Sequence, residues 1–140
     1  MTQSAIVRRY EGVQTFLTEG CLFLSLCSIA EQVVNGHIDI LSTIQYAKAE
    51  GWIDANNDMT KASQCALLGF LTGKVWRREE LTELPNPVPD EMYTVEKWVN
   101  LNTGLTHFRR RFVDTLTNSV TVTQGKLERY YGYVYENSVR

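Results

Sequence analysis

The 140-residue chain carries three cysteines, Cys21, Cys27 and Cys65, and two histidines, His37 and His107. These are its candidates for nucleophilic and general-base chemistry near neutral pH. A thiol attacks as the thiolate, and a free cysteine, with a pKa near ~8.5, is mostly protonated at pH 7. Two devices correct this. A helix N-terminus favours the anion through its free N–H groups and its dipole, and a neighbouring imidazole takes the proton. Cys21 follows Gly20 at the head of an apolar run, with Thr18 placed as N-cap, so it falls in a first helical turn. Gly20 lets a substrate backbone approach closely. His107, in Gly104-Leu-Thr-His-Phe108, sits at the start of a strand and is the natural base. His37 follows Asn35-Gly36 at a helix end and reads as a surface or capping residue. Cys27 and Cys65 fall within helices and read as structural. The competing readings are a buried structural thiol for Cys21 and a core histidine for His107.

The elements that must position this pair follow from hydrophobic periodicity. Leu22, Leu26, Ile29, Ala30 and Val33 give one buried helical face, ended by Asn35-Gly36 with Gly36 available for the left-handed position. A second helix is expected over 39–50, with Gly51 as its stop. A third is expected over 60–71, with Thr60 as N-cap and Thr72-Gly73 as its close. Beyond Lys74 the period shifts towards two. Val75-Trp76-Arg77 reads as a short strand, and the three prolines at 85, 87 and 89 mark an exposed connector. Strands follow at 93–99, 105–113, 119–123 and 127–135, with turns at 100–104, 114–118 and Gly125. The His107 strand is expected to be central in the sheet. Helices first and strands afterwards predict an α+β fold, in which N-terminal helices pack on a C-terminal antiparallel sheet as one domain over 1–140. At this length a single core forms without disulfides or metal.

The Cys-first, His-later order, on a helix start and then a strand, is the papain arrangement. Gly20-Cys21-Leu-Phe-Leu-Ser-Leu resembles the nucleophile segment of papain-like and bacteriocin-processing peptidases, and Thr106-His107-Phe108 resembles their histidine strand. An ordered set of short motifs is also similar to an uncharacterised family of small spirochaete and phage proteins. These are Gly20-Cys21, Gly51-Trp52-Ile53-Asp54, Leu71-Thr72-Gly73, Thr103-Gly104 with His107-Phe108, Asp114, Ser119-Val-Thr121-Val122 and Gly125-Lys126. That family brings no established activity. The papain-like resemblance implies a papain-like fold and acyl transfer through a thioester on Cys21, with His107 as base and then acid. It also implies an upstream glutamine that shares the oxyanion hole with the Cys21 N–H, and Gln14 is the nearby candidate. Such a donor is worth ~10²–10³ in rate. For the residue that orients His107, the family pattern points to Asp114. In a straight strand that residue is about 23 Å from His107 at ~3.3 Å per residue. A hairpin about residues 115–116 would instead set Gln124 opposite His107, and Asn118 is a third option.

Arg109-Arg110-Arg111 departs from the apolar continuation usual in papain-like strands. By alternation Arg109 and Arg111 share the His107 face. A solvated groove there suits an anionic ligand, and the cations would depress the imidazole pKa and work against a thiolate–imidazolium pair. The expected substrate is a peptide or protein. A catalytically degenerate binding module and a phage-type accessory or inhibitory protein are the rival readings. The tyrosines at 131, 133 and 135 share one face and read as a half-buried sheet surface. A net charge of −2 disfavours nucleic acid. No paired Cys or His spacing suggests a metal, and no cofactor is expected. The odd cysteine count and the absence of a secretory pattern near Met1 lead to the expectation of a cytoplasmic protein with reduced thiols. The longest apolar stretch, 21–30, is too short for a membrane span.

Overall fold

The computed structural model describes residues 21–56, 58–110 and 125–136. Three helices precede four strands: α1 (Cys21–Val34), α2 (Ile40–Ala49), α3 (Lys61–Thr72), β1 (Val75–Leu81), β2 (Met92–Asn100), β3 (Thr106–Arg110) and β4 (Gly125–Glu136). The strands form one antiparallel sheet in the order β1-β4-β2-β3. The α+β expectation therefore stands, with the helices packed on the sheet through one shared core.

Local chemistry explains the helix ends. Asp39 caps α2 by accepting the Ser42 N–H at 3.1 Å, and Thr60 caps α3 by accepting the Ser63 N–H at 3.0 Å. Gly73 closes α3 in the left-handed region at φ 72°, where a side chain would be strained. At the end of α1 the left-handed residue is Asn35 (φ 53°), not Gly36. Asparagine tolerates this conformation through its short polar side chain.

Helix α1 is buried around nearly all of its circumference from Cys21 to Glu31, not along one stripe. Phe23, Leu24, Leu26, Cys27, Ile29 and Ala30 are 0–1% exposed. A helix apolar on every side lies inside the fold. Its buried Ser25 is satisfied by donating to the Cys21 carbonyl at 2.8 Å. On the sheet, Val95, Phe108, Tyr131 and Tyr133 complete the core. The tyrosine face is thus a packed sheet surface: Tyr131 and Tyr133 are buried, and Tyr135 lies edge-on to Trp76.

Two strand boundaries differ from the sequence reading. Strand β1 runs on to Leu81 through Arg77-Arg78-Glu79-Glu80, because these charges pair with one another and with β4: Arg78 with Glu80 at 2.7 Å and Arg129 with Glu80 at 3.0 Å. Gly125 begins β4, paired with Asn100, and is not a turn. Among the described strands β4 lies between β1 and β2, and β3, which carries His107, pairs with β2.

Candidate active site

The β2–β3 hairpin positions His107. Asn100, 3% exposed, accepts the Asn102 and Thr103 N–H groups on its Oδ1 at 2.8 and 3.1 Å. Gly104 completes the turn at φ 73° and donates to the Asn100 carbonyl. From this turn β3 sets His107 directly opposite Trp98 on β2. Side chains alternate along a strand. Phe108 and Arg110 therefore point to the helix layer, and His107 and Arg109 to the other face. Phe108 packs on the core and lies parallel to Tyr131, with ring centroids 5.8 Å apart. Arg110 is 5% exposed and donates to Ser28 Oγ at 3.2 Å and to Gln32 Oε1 at 2.7 Å. These bonds hold α1 against β3.

This packing carries the head of α1 to the strand. Cys21, the first residue of α1 and 7% exposed, accepts the Phe108 N–H on its Sγ at 3.4 Å. That N–H belongs to the residue that follows His107. Two bonds of about 1.33 and 1.52 Å separate its nitrogen from His107 Cα, so Sγ lies within about 6 Å of that atom. The imidazole is itself well packed, with Nε2 shielded from solvent. Cys21 Sγ thus meets the backbone of β3 next to His107, while the imidazole lies on the other face of the sheet. A backbone N–H aimed at sulfur favours the thiolate.

The face that carries His107 has its own polar cluster. Glu96 is 7% exposed, and its Oε1 accepts both Arg109 Nε at 2.7 Å and Trp98 Nε1 at 3.0 Å. The Arg109 guanidinium lies over the Trp98 ring, 5.0 Å from its centroid. Arg109, 23% exposed, is thus paired with Glu96 and laid over Trp98. Glu96 escaped the sequence reading. Its only signal was an acid in an alternating strand beside Trp98.

Gln14, Asp114, Asn118, Gln124 and Arg111 lie outside the described residues. The hairpin between β3 and a following strand, on which a Gln124–His107 pairing depends, is not among the described pairings, since β4 pairs with β2 and β1. His37 is at the surface, as expected, with Nδ1 3.4 Å from Glu31. Cys27 is fully buried, and Cys65 is half-buried in α3. Burial pushes the Cys65 thiol above its usual value of 9.0, against the opposing pull of Arg78 and Lys61. A cleft of about 520 Å³ opens beside the hairpin turn, lined by Val99, Leu101, Gly104, Thr106, Lys126 and Glu128. Thr106 places it one residue from His107.

Among the described residues no group of three or more His, Cys, Asp or Glu side chains is arranged to hold a metal ion, and no helix is long and apolar enough to cross a membrane. No protein-family model, curated protein or solved structure matches the chain.

Proposed function

We propose that this protein is a papain-like cysteine hydrolase that cleaves an amide or peptide bond through a thioester on Cys21, with His107 as general base and then acid. The observation that carries the reading is the Phe108 N–H on Cys21 Sγ, one residue from His107. In the reaction His107 takes the thiol proton and the thiolate adds to the carbonyl carbon. The oxyanion is met by the Cys21 N–H and, in this reading, by Gln14. Collapse expels the amine, which leaves with the proton from His107. Water then gives its proton to His107 and its oxygen to the acyl carbon, which frees the acid and the thiol. The cleft at Val99, Leu101 and Thr106 is suitably placed to receive the chain that flanks the scissile bond. On this reading Asp114 orients the imidazole, and the protein works in the cytoplasm on a peptide or protein substrate.

An activated acyl donor tests the reading. On brief exposure to p-nitrophenyl acetate, intact-mass and peptide mapping should find one acetyl group on Cys21 that clears with time. The Cys21→Ala variant should not release p-nitrophenol above background. Acetylation of Cys65 before Cys21 would overturn it.

One observation favours a second reading, a papain-like module that binds a partner without turnover. Cys21 is only 7% exposed, so an incoming carbonyl has little room until something moves. A protein that stays unacylated at Cys21 yet keeps its fold would fit this module.

A further inference from the structure

Two arginines flank the candidate histidine in sequence, and a cation close to an imidazole disfavours its protonated form. A thiolate–imidazolium pair therefore needs that charge dealt with. Arg110 points away from His107, into the helix layer, where Ser28 and Gln32 bind it. Arg109 shares the His107 face, two residues along and thus about 7 Å away at ~3.4 Å per residue. Its charge is met by Glu96 at 2.7 Å. The same Glu96 oxygen anchors the indole N–H of Trp98, the residue directly across from His107. Directly opposed residues have Cβ atoms about 4.5–5.5 Å apart. One buried carboxylate therefore holds both side chains that crowd the imidazole.

We propose that Glu96 is a positioning residue for the Cys21–His107 pair: its carboxylate cancels the Arg109 charge and fixes Trp98 against His107, so that the imidazolium is tolerated. The inference rests on the reading of Cys21 and His107 as a working pair. The other described groups do not supply this compensation. On β4, Tyr130 lies across from Glu96, and Leu127 lies across from Trp98. Lys97 belongs to the opposite face and pairs with Glu128 at 3.4 Å. Lys126 pairs with Val99 in the ladder, also off the His107 face. From α1 the group that reaches β3 at this point is Cys21 itself. Removal of the Glu96 charge leaves Arg109 uncompensated in a partly desolvated cluster.

The test is an NMR titration of the His107 ring C–H signals in the full chain. With two histidines, His37→Gln assigns them. In Glu96→Gln the His107 midpoint should fall by roughly one pH unit. In Arg109→Gln it should rise, and in the double variant Glu96→Gln/Arg109→Gln it should return towards the parent value. A loss of packing alone would not reverse in the double variant. Cys21→Ser reports separately on the pair: if thiolate and imidazolium interact, it lowers the His107 midpoint whatever Glu96 does. An unchanged midpoint in both Glu96→Gln and Arg109→Gln would overturn the role of Glu96, whereas an unchanged midpoint in Cys21→Ser alone would overturn the pair. If Glu96→Gln does not fold, the direction of the Arg109→Gln shift decides.

Discussion

Helices α1 and α3 are docked on the sheet by similar means, yet the cysteine beside each dock meets a different fate. On α1, the buried Arg110 reaches from β3 to Ser28 and Gln32. On α3, the buried Gln64 accepts Tyr133 Oη–H from β4 at 2.6 Å and Arg78 from β1 at 3.2 Å. Cys65 sits beside Gln64, inside the helix, where backbone N–H groups are consumed by the helix itself. Burial then pushes its thiol up. Cys21, on α1, receives the Phe108 N–H of β3 on its Sγ. Cys21 is the less exposed of the two, so on the proposed reading its surroundings, and not its exposure, would set its reactivity.

The largest effect expected from breaking this comparison comes from Arg110→Met. It removes two charge-assisted bonds and leaves buried acceptors on α1, a loss of about 2–4 kcal/mol in urea unfolding. It should also slow acylation at Cys21, because α1 is no longer held on β3. Tyr133→Phe, the matching change on α3, should cost about 1–2 kcal/mol and leave Cys21 reactivity as it was. If the two variants slow Cys21 equally, the docks are not separable and the comparison fails. Alkaline pH sharpens it further. Burial raises the Tyr133 phenol above its usual 10.0 and the Cys65 thiol above 9.0. Both groups stay protonated in the folded chain while the unfolded chain ionises. Stability should therefore be level below about pH 9 and fall as pH rises through 9–10, since the unfolded state binds fewer protons there. The fall should be shallower in Tyr133→Phe and in Cys65→Ser. The smallest effect is Thr60→Ala, which removes the α3 cap for about 1 kcal/mol.

Much of this was legible in sequence, and the reason differs by element. Helix ends are local. Asp39, Thr60, Gly51 and Gly73 mark them because caps and left-handed residues act within a few positions. That Cys21 falls on a helix and His107 on a strand was also readable, since each follows from local pattern. Sheet order was not. The place of β4 between β1 and β2 depends on pairings across the chain. Charges misled in two places. The run Arg77 to Glu80 hid most of β1, because cross-strand pairing stabilises a strand that period-two hydrophobicity does not reveal. The run Arg109 to Arg111 suggested a cationic face at Arg109 and Arg111, but Arg109 is bound by Glu96, and Arg111 lies outside the described residues. Partners so distant in sequence are invisible to spacing.

The most direct test of the central claim is a competition between the two thiols. Iodoacetamide labelling, followed by peptide mass spectrometry across pH 5–9, gives a rate for each cysteine. Exposure alone predicts that Cys65, half-buried, reacts before Cys21, which is buried. The account predicts the reverse. Cys21 should label at least tenfold faster than Cys65 at pH 7, keep reacting below the pH at which an ordinary thiol falls silent, and slow in His107→Ala. Cys65 labelling first, or Cys21 labelling that does not depend on His107, would contradict it.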